Sequence, residues 1–317
     1  FMREAAAFYE DFMILGADGK YVFSPSHSPE NSPAGSEAQA CTNATMDMAV
    51  ARELFVNLIA ATSTDRTLHG SSGDDDGADV DRWHAIVSRL PDYQINADGA
   101  IKEWLHPDLA DNHDHRHVSH LYALFDGLPA DIEARPDLRA AFLRTVERRL
   151  EIRRQDAGGV MAFGLAQLGL VAASLRQPAL CGEILDWLAR KYWRPSLVTT
   201  HDPGQLFNVD LCGGFPALIA KLLVDSRPGH IEIFPALPPA WPKGTVHGLP
   251  ARGGITIDRL SWDPEGIQVT LSAVSTQSIT IAFPAQSPHP PHVVTASFTD
   301  GSTLNFRVNG DEAPASF

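Results

Sequence analysis

The segment "TMDMAVARELFVNLIAAT" (residues 45–62) decides the fold class, because its apolar side chains recur every three or four positions. This spacing places them along one side of an α-helix. Thr45 and Asp47 stand before the apolar stretch, as is typical of a helix start. The same periodicity predicts seven further helices in the first two thirds of the chain, at about 2–15, 79–90, 117–126, 136–152, 160–175, 179–193 and 215–226.

Long loops rich in Pro, Gly, His and Asp separate these helices. Helices with such loops between them are typical of an α/α toroid, and a complete toroid of six hairpins would contain about twelve helices. The sequence begins directly with an amphipathic helix, "FMREAAAFYEDFMIL", and Phe1 is not a natural initiator. We therefore expect the chain to be the later part of a longer protein, holding only part of the toroid.

The pattern changes after Ser226, where short segments alternate between apolar and polar residues. Gly, Pro and Asp turns separate them, and they read "HIEIFPALP", "GGITIDRLSW", "GIQVTLSAV", "SITIAF" and "VVTASF". Alternation with period two predicts strands, and a run of strands after a run of helices predicts a separate layer or domain. We expect an α + β multidomain chain. Residues 1–227 would form the C-terminal part of an (α/α)6 barrel, and residues 228–317 a C-terminal antiparallel β domain.

Composition and charge restrict the classes of partner. The 317 residues carry a formal net charge of −14, with 39 acidic and 25 basic residues. No run of Lys or Arg occurs, so nucleic acids and anionic membranes are poor partners, and a neutral or weakly charged substrate is expected. No stretch has the length of a membrane span. The three cysteines, Cys41, Cys181 and Cys212, are too few and too scattered for a disulfide framework or a zinc knuckle.

Three long loops concentrate polar side chains, and long loops inside a compact domain are usually functional. They are residues 24–31 ("SPSHSPEN") with Glu30, residues 102–125 with five histidines and Arg116, and residues 199–214 with His201, Asp202, Asn208 and Asp210. Prolines in the first loop exclude a regular helix and a central strand there. A further segment, "HGSSGDDDGAD" (69–79), is predicted to be a solvated acidic turn without a chemical role.

The histidine-rich loop leaves a metal site open as one interpretation. His113, His115, His117 and His120 are possible ligands, but no H-E-x-x-H or other diagnostic spacing occurs. The alternative is that these histidines pack and hydrogen-bond around a buried loop. A serine nucleophile has weaker support, because there is no G-x-S-x-G elbow and Ser28 precedes a proline.

A pair of carboxyl groups is the third interpretation. Cleavage of a glycosidic bond needs one carboxylic acid that protonates the leaving oxygen and one carboxylate that activates water. Asp210 lies between "LFNV" and "CGG", which predicts a tight turn at a helix start, where the dipole keeps a base ionised. Glu30 lies among prolines, which predicts a desolvated carboxyl group that holds its proton as an acid must. Judged by composition alone, either residue is more often an ordinary cap or surface carboxylate.

Five motifs occur in the order found in glycoside hydrolase family 95, whose members are mainly α-L-fucosidases with some α-L-galactosidases. They are "PSHSPEN", "TMDM…RELF.NLI", "EW…HRHVSHLYALF", "LFNVD" and "FPALPPAWPKGTVHGLPARGG". The chain resembles the latter half of the family's (α/α)6 barrel together with its C-terminal β domain. The resemblance implies an inverting exo-glycoside hydrolase, most simply an α-L-fucosidase that removes α-1,2-linked fucose from oligosaccharides.

The resemblance also implies roles for four residues. The glutamate of the family's P-S-x-S-P-E-N motif is its general acid, and Glu30 occupies that position. The aspartate of its F-Q-I-D-G-N-F-G-like motif is the base, and it corresponds to Asp210 in "FNVDLCGG". The family's H-R-H-x-S-H-L motif faces the sugar, so Arg116 and His117 are expected to contact sugar hydroxyls. No metal and no cofactor are implied.

Three departures from the family pattern are visible. The family's water-holding N-x-N segment has no counterpart in the chain, "DLCGG" replaces D-G-N-F-G with Asn208 where Gln is common, and a tryptophan–serine pair is absent from residues 158–169. His115 and His120 are expected to brace their loop. An α-L-galactosidase and a non-catalytic carbohydrate-binding remnant therefore remain alternatives. The resemblance further implies a secreted or periplasmic location and the missing N-terminal part of the same protein as a partner.

Overall fold

The protein was analysed as a computed structural model, which describes residues 1–69, 74–155, 161–283, 292–297, 303–308 and 315–316. The chain forms two compact units, residues 1–157 and residues 158–317. Helices dominate the first unit, and the second contains helices followed by two larger sheets. Within the described ranges, no helix combines the length and the apolar character that crossing a membrane requires.

The first unit is mainly helical. Its elements are α1 (Met2–Phe12), β1 (Ile14–Leu15), β2 (Tyr21–Val22), α2 (Thr45–His69), α3 (Asp74–Arg89), a 3₁₀ helix (Ser119–Leu124), α4 (Ala130–Glu133) and α5 (Pro136–Gln155). Its largest fully buried apolar side chains are those of Trp83, Trp104, Phe23, Phe55 and Phe142. Buried aromatic side chains of this size remove much apolar surface from water and dominate the stability of a core.

The start of α2 is tied to two loops. The Thr45 hydroxyl donates to the Lys102 carbonyl at 2.7 Å, and the Thr45 N–H donates to the Glu103 carbonyl at 3.0 Å. Asp47, in the first turn of α2, accepts a hydrogen bond from the Ser26 hydroxyl at 2.5 Å. A carboxylate in the first turn also opposes the positive end of the helix dipole. The first turn of α2 is therefore bonded both to the loop that contains Ser26 and to the segment that contains Lys102 and Glu103.

Each of the eight predicted helices has a counterpart in the structure, with two corrections. The segment predicted at 117–126 is a 3₁₀ helix rather than an α-helix. The predicted acidic turn at 69–79 is wrong at both ends, because His69 closes α2 and residues 74–79 form the first turns of α3. Residues 70–73 lie outside the described part of the chain.

In the second unit, three helices precede the sheets within the described residues: α6 (Ala162–Ser174), α7 (Pro178–Lys191) and α8 (Asp210–Leu223). A short hairpin, β3 (Thr200–Asp202) and β4 (Gln205–Phe207), leads into α8. Gly169 of α6 allows α8 to approach closely, since a Cβ at this position would lie 2.5 Å from a methyl carbon of the buried Leu218. The position of α8 therefore depends on a glycine in its neighbour.

Two sheets follow α8. The strands are β5 (Val224–Arg227), β6 (His230–Ile233), β7 (Gly244–Ala251), β8 (Ile255–Asp263), β9 (Gly266–Ala273), β10 (Thr280–Ala282), β11 (His292–Ser297), β12 (Thr303–Val308) and β13 (Ala315–Ser316). Their orders are β13-β10-β6-β5 and β12-β11-β9-β8-β7. Most neighbours are antiparallel, as predicted, but β10 pairs with β6 and β11 pairs with β9 in parallel.

One hydrophobic cluster contains side chains from both sheets. Ile231 and Ile233 of β6 belong to it, together with Ile257 of β8 and Ile267 and Val269 of β9. In β9 the buried positions alternate with more exposed ones, so the period-two pattern predicted from sequence is confirmed. Sharing a core in this way buries one face of each sheet.

Helices and mainly antiparallel sheets in one chain confirm the mixed fold class. The toroid itself stays a prediction, as does the division between residues 227 and 228. An ion pair joins the helical and sheet parts of the second unit, where the Arg176 guanidinium donates to both carboxylate oxygens of Glu232 at 2.8 and 3.0 Å. Paired bonds of this kind fix the mutual orientation of the two side chains.

Candidate active site

The loop that carries Glu30 is held by main-chain and side-chain bonds. Ser26 and Cys41 exchange two backbone hydrogen bonds of 2.8 Å, which close the loop at its base. Two of its peptide bonds, Ser24–Pro25 and Pro29–Glu30, are cis. The Ser119 hydroxyl donates to the Pro29 carbonyl at 2.8 Å, so the residue before Glu30 is bound to the histidine-rich loop.

The Glu30 carboxyl group lies beside two of the other predicted site residues. One of its oxygens accepts a hydrogen bond from the Arg116 guanidinium, and the same oxygen lies 3.6 Å from Nε2 of His117. The Glu30 side chain is 53% exposed. The expectation that prolines would desolvate Glu30 is therefore wrong, because they shape the backbone while the carboxyl group faces outward.

Two residues close to Glu30 in the loop, Ser28 and Asn31, are buried. Ser28 is 0% exposed and Asn31 is 1% exposed, although both have polar side chains. Both donate to the carboxylate of Glu103, Ser28 to Oε1 at 2.6 Å and Asn31 to Oε2 at 2.9 Å. A further hydrogen bond joins this loop to the histidine-rich loop, because Asn31 Nδ2 donates to the Asn112 carbonyl at 3.0 Å. The exposed Glu30 therefore lies between two buried residues that are both hydrogen-bonded to Glu103.

Glu103 is a buried charged residue next to the candidate site that the sequence did not point to. It is 1% exposed and pairs with Arg149 of α5, which is equally buried, at an N–O distance of 2.8 Å. Burial raises the pKa of Glu103, while Arg149, Ser28 and Asn31 act in the opposite direction by favouring the carboxylate. Burial also lowers the pKa of Arg149. The "EW" of the third family motif contained this residue, but nothing in its spacing distinguished it from other acids.

Two arginines of α5 hold the backbone of the histidine-rich loop. Arg149 donates to the carbonyls of His113 and His115 at 2.8 and 3.1 Å, and Arg153 donates to the Arg116 carbonyl at 2.9 Å. Arg149 and Arg153 are one helical turn apart, so both point from the same side of α5. The loop backbone is therefore fixed by charged donors, and the Arg116 and His117 side chains are presented beside Glu30.

Two histidines of this loop contact protein groups through a ring nitrogen. His113 Nε2 lies 3.1 Å from a carboxylate oxygen of Asp98, and His115 Nδ1 accepts from the His117 N–H at 3.1 Å. Burial and the nearby Arg149 lower the pKa of His115 to about 4 and the pKa of His120 well below its ordinary value. Among the described residues, no group of three or more His, Cys, Asp or Glu is arranged to hold a metal ion.

Asp210 is the first residue of α8, in the second unit, as the predicted turn at a helix start requires. Its carboxylate is exposed and accepts a hydrogen bond from the Asn208 amide at 2.7 Å. The other atom of that amide, Oδ1, accepts from the Leu211 N–H at 3.1 Å and so satisfies a free donor at the helix start. A negatively charged side chain at this end of a helix is favourably placed against the helix dipole.

The surroundings of Asp210 differ from those of Glu30 in being apolar and exposed. Leu206, Phe207 and Val209 are 71%, 69% and 64% exposed. Asn208 lies among them but is buried, and its N–H donates to the Thr199 carbonyl at 3.1 Å. Asp202, another polar residue of this loop, pairs with His201 at 3.1 Å. The structure places Glu30, Arg116 and His117 together in the first unit and Asp210 in the second.

Curated relatives of the chain include fucosidases. The sequence is 32% identical to Alpha-L-fucosidase 2 of Arabidopsis thaliana over 269 residues, which cover 82% of this chain and 31% of the relative. It is 26% identical to a Probable alpha-fucosidase A of Aspergillus oryzae, with 85% of this chain and 38% of the relative covered. The chain therefore spans about a third of the length of these relatives.

A solved structure described as a putative kojibiose phosphorylase from the human microbiome matches 97% of this chain and 42% of its own. Its sequence identity is 8% and its TM-score is 0.48, so the likeness is too low to carry a conclusion about this chain.

Two family models match the sequence almost end to end. The model of the glycosyl hydrolase family 95 catalytic domain matches residues 1–223, and that of the glycoside hydrolase family 95 C-terminal domain matches residues 225–313. The resemblance noted from five short motifs is thus confirmed over both parts of the chain. With more than half of its residues matched by the catalytic-domain model, the chain belongs to glycoside hydrolase family 95.

Proposed function

We propose that this chain supplies the general acid and the general base of an inverting exo-glycosidase, an α-L-fucosidase that acts on α-1,2-linked fucose in oligosaccharides. Membership of family 95 and the names of the curated relatives support the reaction class. The observation that carries the proposal is the Glu30 carboxyl group, which is exposed beside Arg116 and His117. Ser28 and Asn31, two positions before it and one position after it, are buried. The toroidal arrangement of the helices belongs to the same proposal.

Glu30 is the proposed acid that protonates the glycosidic oxygen. A carboxylate in an ion pair has no proton to donate, so the contact with Arg116 must be exchanged before reaction. Arg116 is also the proposed donor to sugar hydroxyls. We infer that a bound sugar draws the Arg116 guanidinium away from Glu30, so that substrate binding and protonation of the acid are coupled. His117 is the second proposed sugar contact.

Asp210 is the proposed base. Its exposed carboxylate at the start of α8, with one oxygen bonded to Asn208, leaves lone pairs for a water molecule. A carboxylate oxygen with free lone pairs can accept a proton from that water. An inverting enzyme holds its two carboxyl groups roughly 6.5–9.5 Å apart so that water fits between sugar and base.

The first experiment compares the full-length protein with its Glu30→Gln variant on 2′-fucosyllactose. General acid catalysis contributes about 10²–10⁴-fold, so the variant should lose at least about 100-fold in kcat. Glu37→Gln is the matched control, because Glu37 is exposed on the same loop. NMR of the first sugar released should show β-L-fucose, the inverted anomer. Release of the α anomer would contradict inversion.

Other outcomes separate the alternatives. Activity on α-L-galactosides without activity on 2′-fucosyllactose would indicate an α-L-galactosidase. Binding of oligosaccharides without hydrolysis would indicate the carbohydrate-binding remnant. Full activity in Glu30→Gln would show that Glu30 is an ordinary loop carboxylate and that the acid lies elsewhere.

A further inference from the structure

Glu103 contacts residues 24–31, here called the acid loop, at one residue before Glu30 and one residue after it. Its two carboxylate oxygens accept hydrogen bonds from Ser28 and Asn31, at 2.6 and 2.9 Å. These residues stand two positions before and one position after the acid. The Asn31 N–H also donates to the Ser28 carbonyl at 2.8 Å, so the backbone turns tightly around Glu30. The buried Glu103 carboxylate is therefore hydrogen-bonded to both ends of the turn that carries Glu30.

Through Arg149, the same carboxylate is also linked to the backbone of the histidine-rich loop. The guanidinium bonds Glu103 Oε2 at 2.8 Å and bonds the carbonyls of His113 and His115 at 2.8 and 3.1 Å. His115 is the residue before Arg116. The Glu103 N–H in turn donates to a carboxylate oxygen of Asp111 at 2.9 Å, which fixes the main chain of Glu103 itself. The two loops thus share a common buried anchor.

We propose that Glu103 is a positioning residue for the general acid: through Ser28 and Asn31 it sets where the Glu30 carboxyl group meets the leaving-group oxygen, and through Arg149 it sets the register of Arg116 against Glu30. This inference rests on the proposed function. Glu103 does not contact the substrate, because it is 1% exposed and its oxygens are already bonded to protein donors. Its effect passes through the backbone of the acid loop.

The chemistry explains why such an anchor matters for this residue. Glu30 is exposed, and its carboxylate contacts Arg116 and His117, so its direction depends on its own backbone and on the loop that carries those two residues. A displacement of a reacting group by about 1 Å can reduce a rate by about 100-fold. A buried network whose members are all hydrogen-bonded is rigid, and removing one member disturbs the others. Glu103 is the member that joins both loops.

Leaving groups distinguish a positioning role from a merely structural one. An oligosaccharide alcohol needs protonation to depart, whereas fluoride from α-L-fucosyl fluoride departs with little help from an acid. Loss of acid function therefore lowers kcat/KM for 2′-fucosyllactose much more than for the fluoride. Glu30→Gln in the full-length protein defines this signature, with an expected selective loss of about 100-fold or more.

Two variants test Glu103. Glu103→Gln keeps the shape of the side chain but removes the charge opposite Arg149, and it is expected to lose about 10–100-fold selectively on 2′-fucosyllactose. Ser28→Ala keeps the buried ion pair and deletes one contact to the acid loop, and it should show the same selectivity at a smaller size. Glu147→Gln is the control, since Glu147 is an exposed acid on α5. Thermal unfolding of each variant establishes that it is folded.

The outcomes are separable. Selective loss in Ser28→Ala and in folded Glu103→Gln supports the proposal, and if Glu103→Gln does not fold, Ser28→Ala decides alone. Equal losses on both substrates, or no loss, would overturn it and leave Glu103 a stabilising residue. A wild-type protein that hydrolyses neither 2′-fucosyllactose nor α-L-fucosyl fluoride would contradict the proposed function, and with it the positioning role of Glu103. Activity without a selective loss in Glu30→Gln would sink the acid assignment before Glu103 is considered.

Discussion

The loops that carry Glu30 and Asp210 are fixed in opposite ways. Below Glu30 lies a buried network of charged and polar side chains centred on Glu103 and Arg149. Asp210 instead starts a helix, and its position depends on α8 and on the side chain of Asn208. A loop without regular structure needs buried side-chain bonds to be rigid, whereas a helix already has its backbone donors and acceptors paired. The two loops should therefore fail for different reasons.

Removing the positive charge from the buried Glu103–Arg149 pair should cause the largest reduction in the free energy of unfolding. Arg149→Met leaves the Glu103 carboxylate buried without its counter-charge, and breaking such a pair typically destabilises a protein by about 3–5 kcal/mol. Urea unfolding measures the loss. Arg148→Met is the matched control, because Arg148 is about a third exposed and its ion pairs contribute about 1 kcal/mol or less. Equal losses in the two variants would show that burial of the pair is unimportant.

The packing of α8 against α6 can be disrupted by a substitution at Gly169. A Cβ there would meet Leu218 at 2.5 Å, and overpacking of this kind typically destabilises a protein by about 1–3 kcal/mol. Gly213 of α8 has no neighbouring atom within 4 Å of a Cβ, so Gly213→Ala should gain up to about 1 kcal/mol from helix propensity. Opposite signs in thermal unfolding are expected. A stabilised Gly169→Ala would mean that α8 shifts freely, and its position would then be weakly defined.

Asn208 contributes to both the stability of the Asp210 loop and the position of the Asp210 carboxylate. Asn208→Ala loses the acceptor for the Leu211 N–H, which should lower stability by about 1 kcal/mol. Asn208→Asp keeps that acceptor but cannot donate to Asp210, and it places a second negative charge beside it. Because Asn208 is buried, we expect Asn208→Asp to lose stability as well as activity on 2′-fucosyllactose. Loss of stability without loss of activity in Asn208→Asp would separate Asp210 from the reaction.

The smallest effect is a dependence of stability on pH in the first unit. The pKa values of His113, His115 and His120 are lowered by burial and by Arg149, that of His115 to about 4. In the unfolded chain they are about 6.5, so below pH 6.5 the unfolded state binds protons that the folded state does not, and stability falls. Burial raises the pKa values of Glu103 and Asp111, whose folded forms take up protons first on acidification and oppose this trend.

A single substitution isolates the histidine contribution. His115→Asn retains an acceptor for the His117 N–H but has no titratable ring, so its stability should fall less steeply between pH 6.5 and about 4 than that of the wild type. Chemical unfolding at a series of pH values provides the comparison. Identical slopes would show that His115 takes up its proton equally in both states.

The sequence predicted elements better than it predicted connections. Apolar periodicity located the helices and the alternating strands, because both patterns record which face is buried. Asp210 was placed at a helix start from local residues alone. Glu103 was missed because a buried acid is identified by its partners, and Ser28, Asn31 and Arg149 lie far from it in sequence. Exposure of Glu30 was mispredicted for a related reason, since prolines constrain a backbone but do not say which side chain is covered.

The two parallel strand pairs have a consequence for the order of folding. β6 pairs with β10 only after the chain has passed through β7, β8 and β9, and β9 pairs with the later β11. Closing such long loops is slower than forming the hairpins between β7, β8 and β9, which are adjacent in sequence. During synthesis, β6 and β9 therefore keep unpaired edges until their parallel partners dock, and open strand edges invite pairing with other chains. Chaperones that shield strand edges should matter most in that interval.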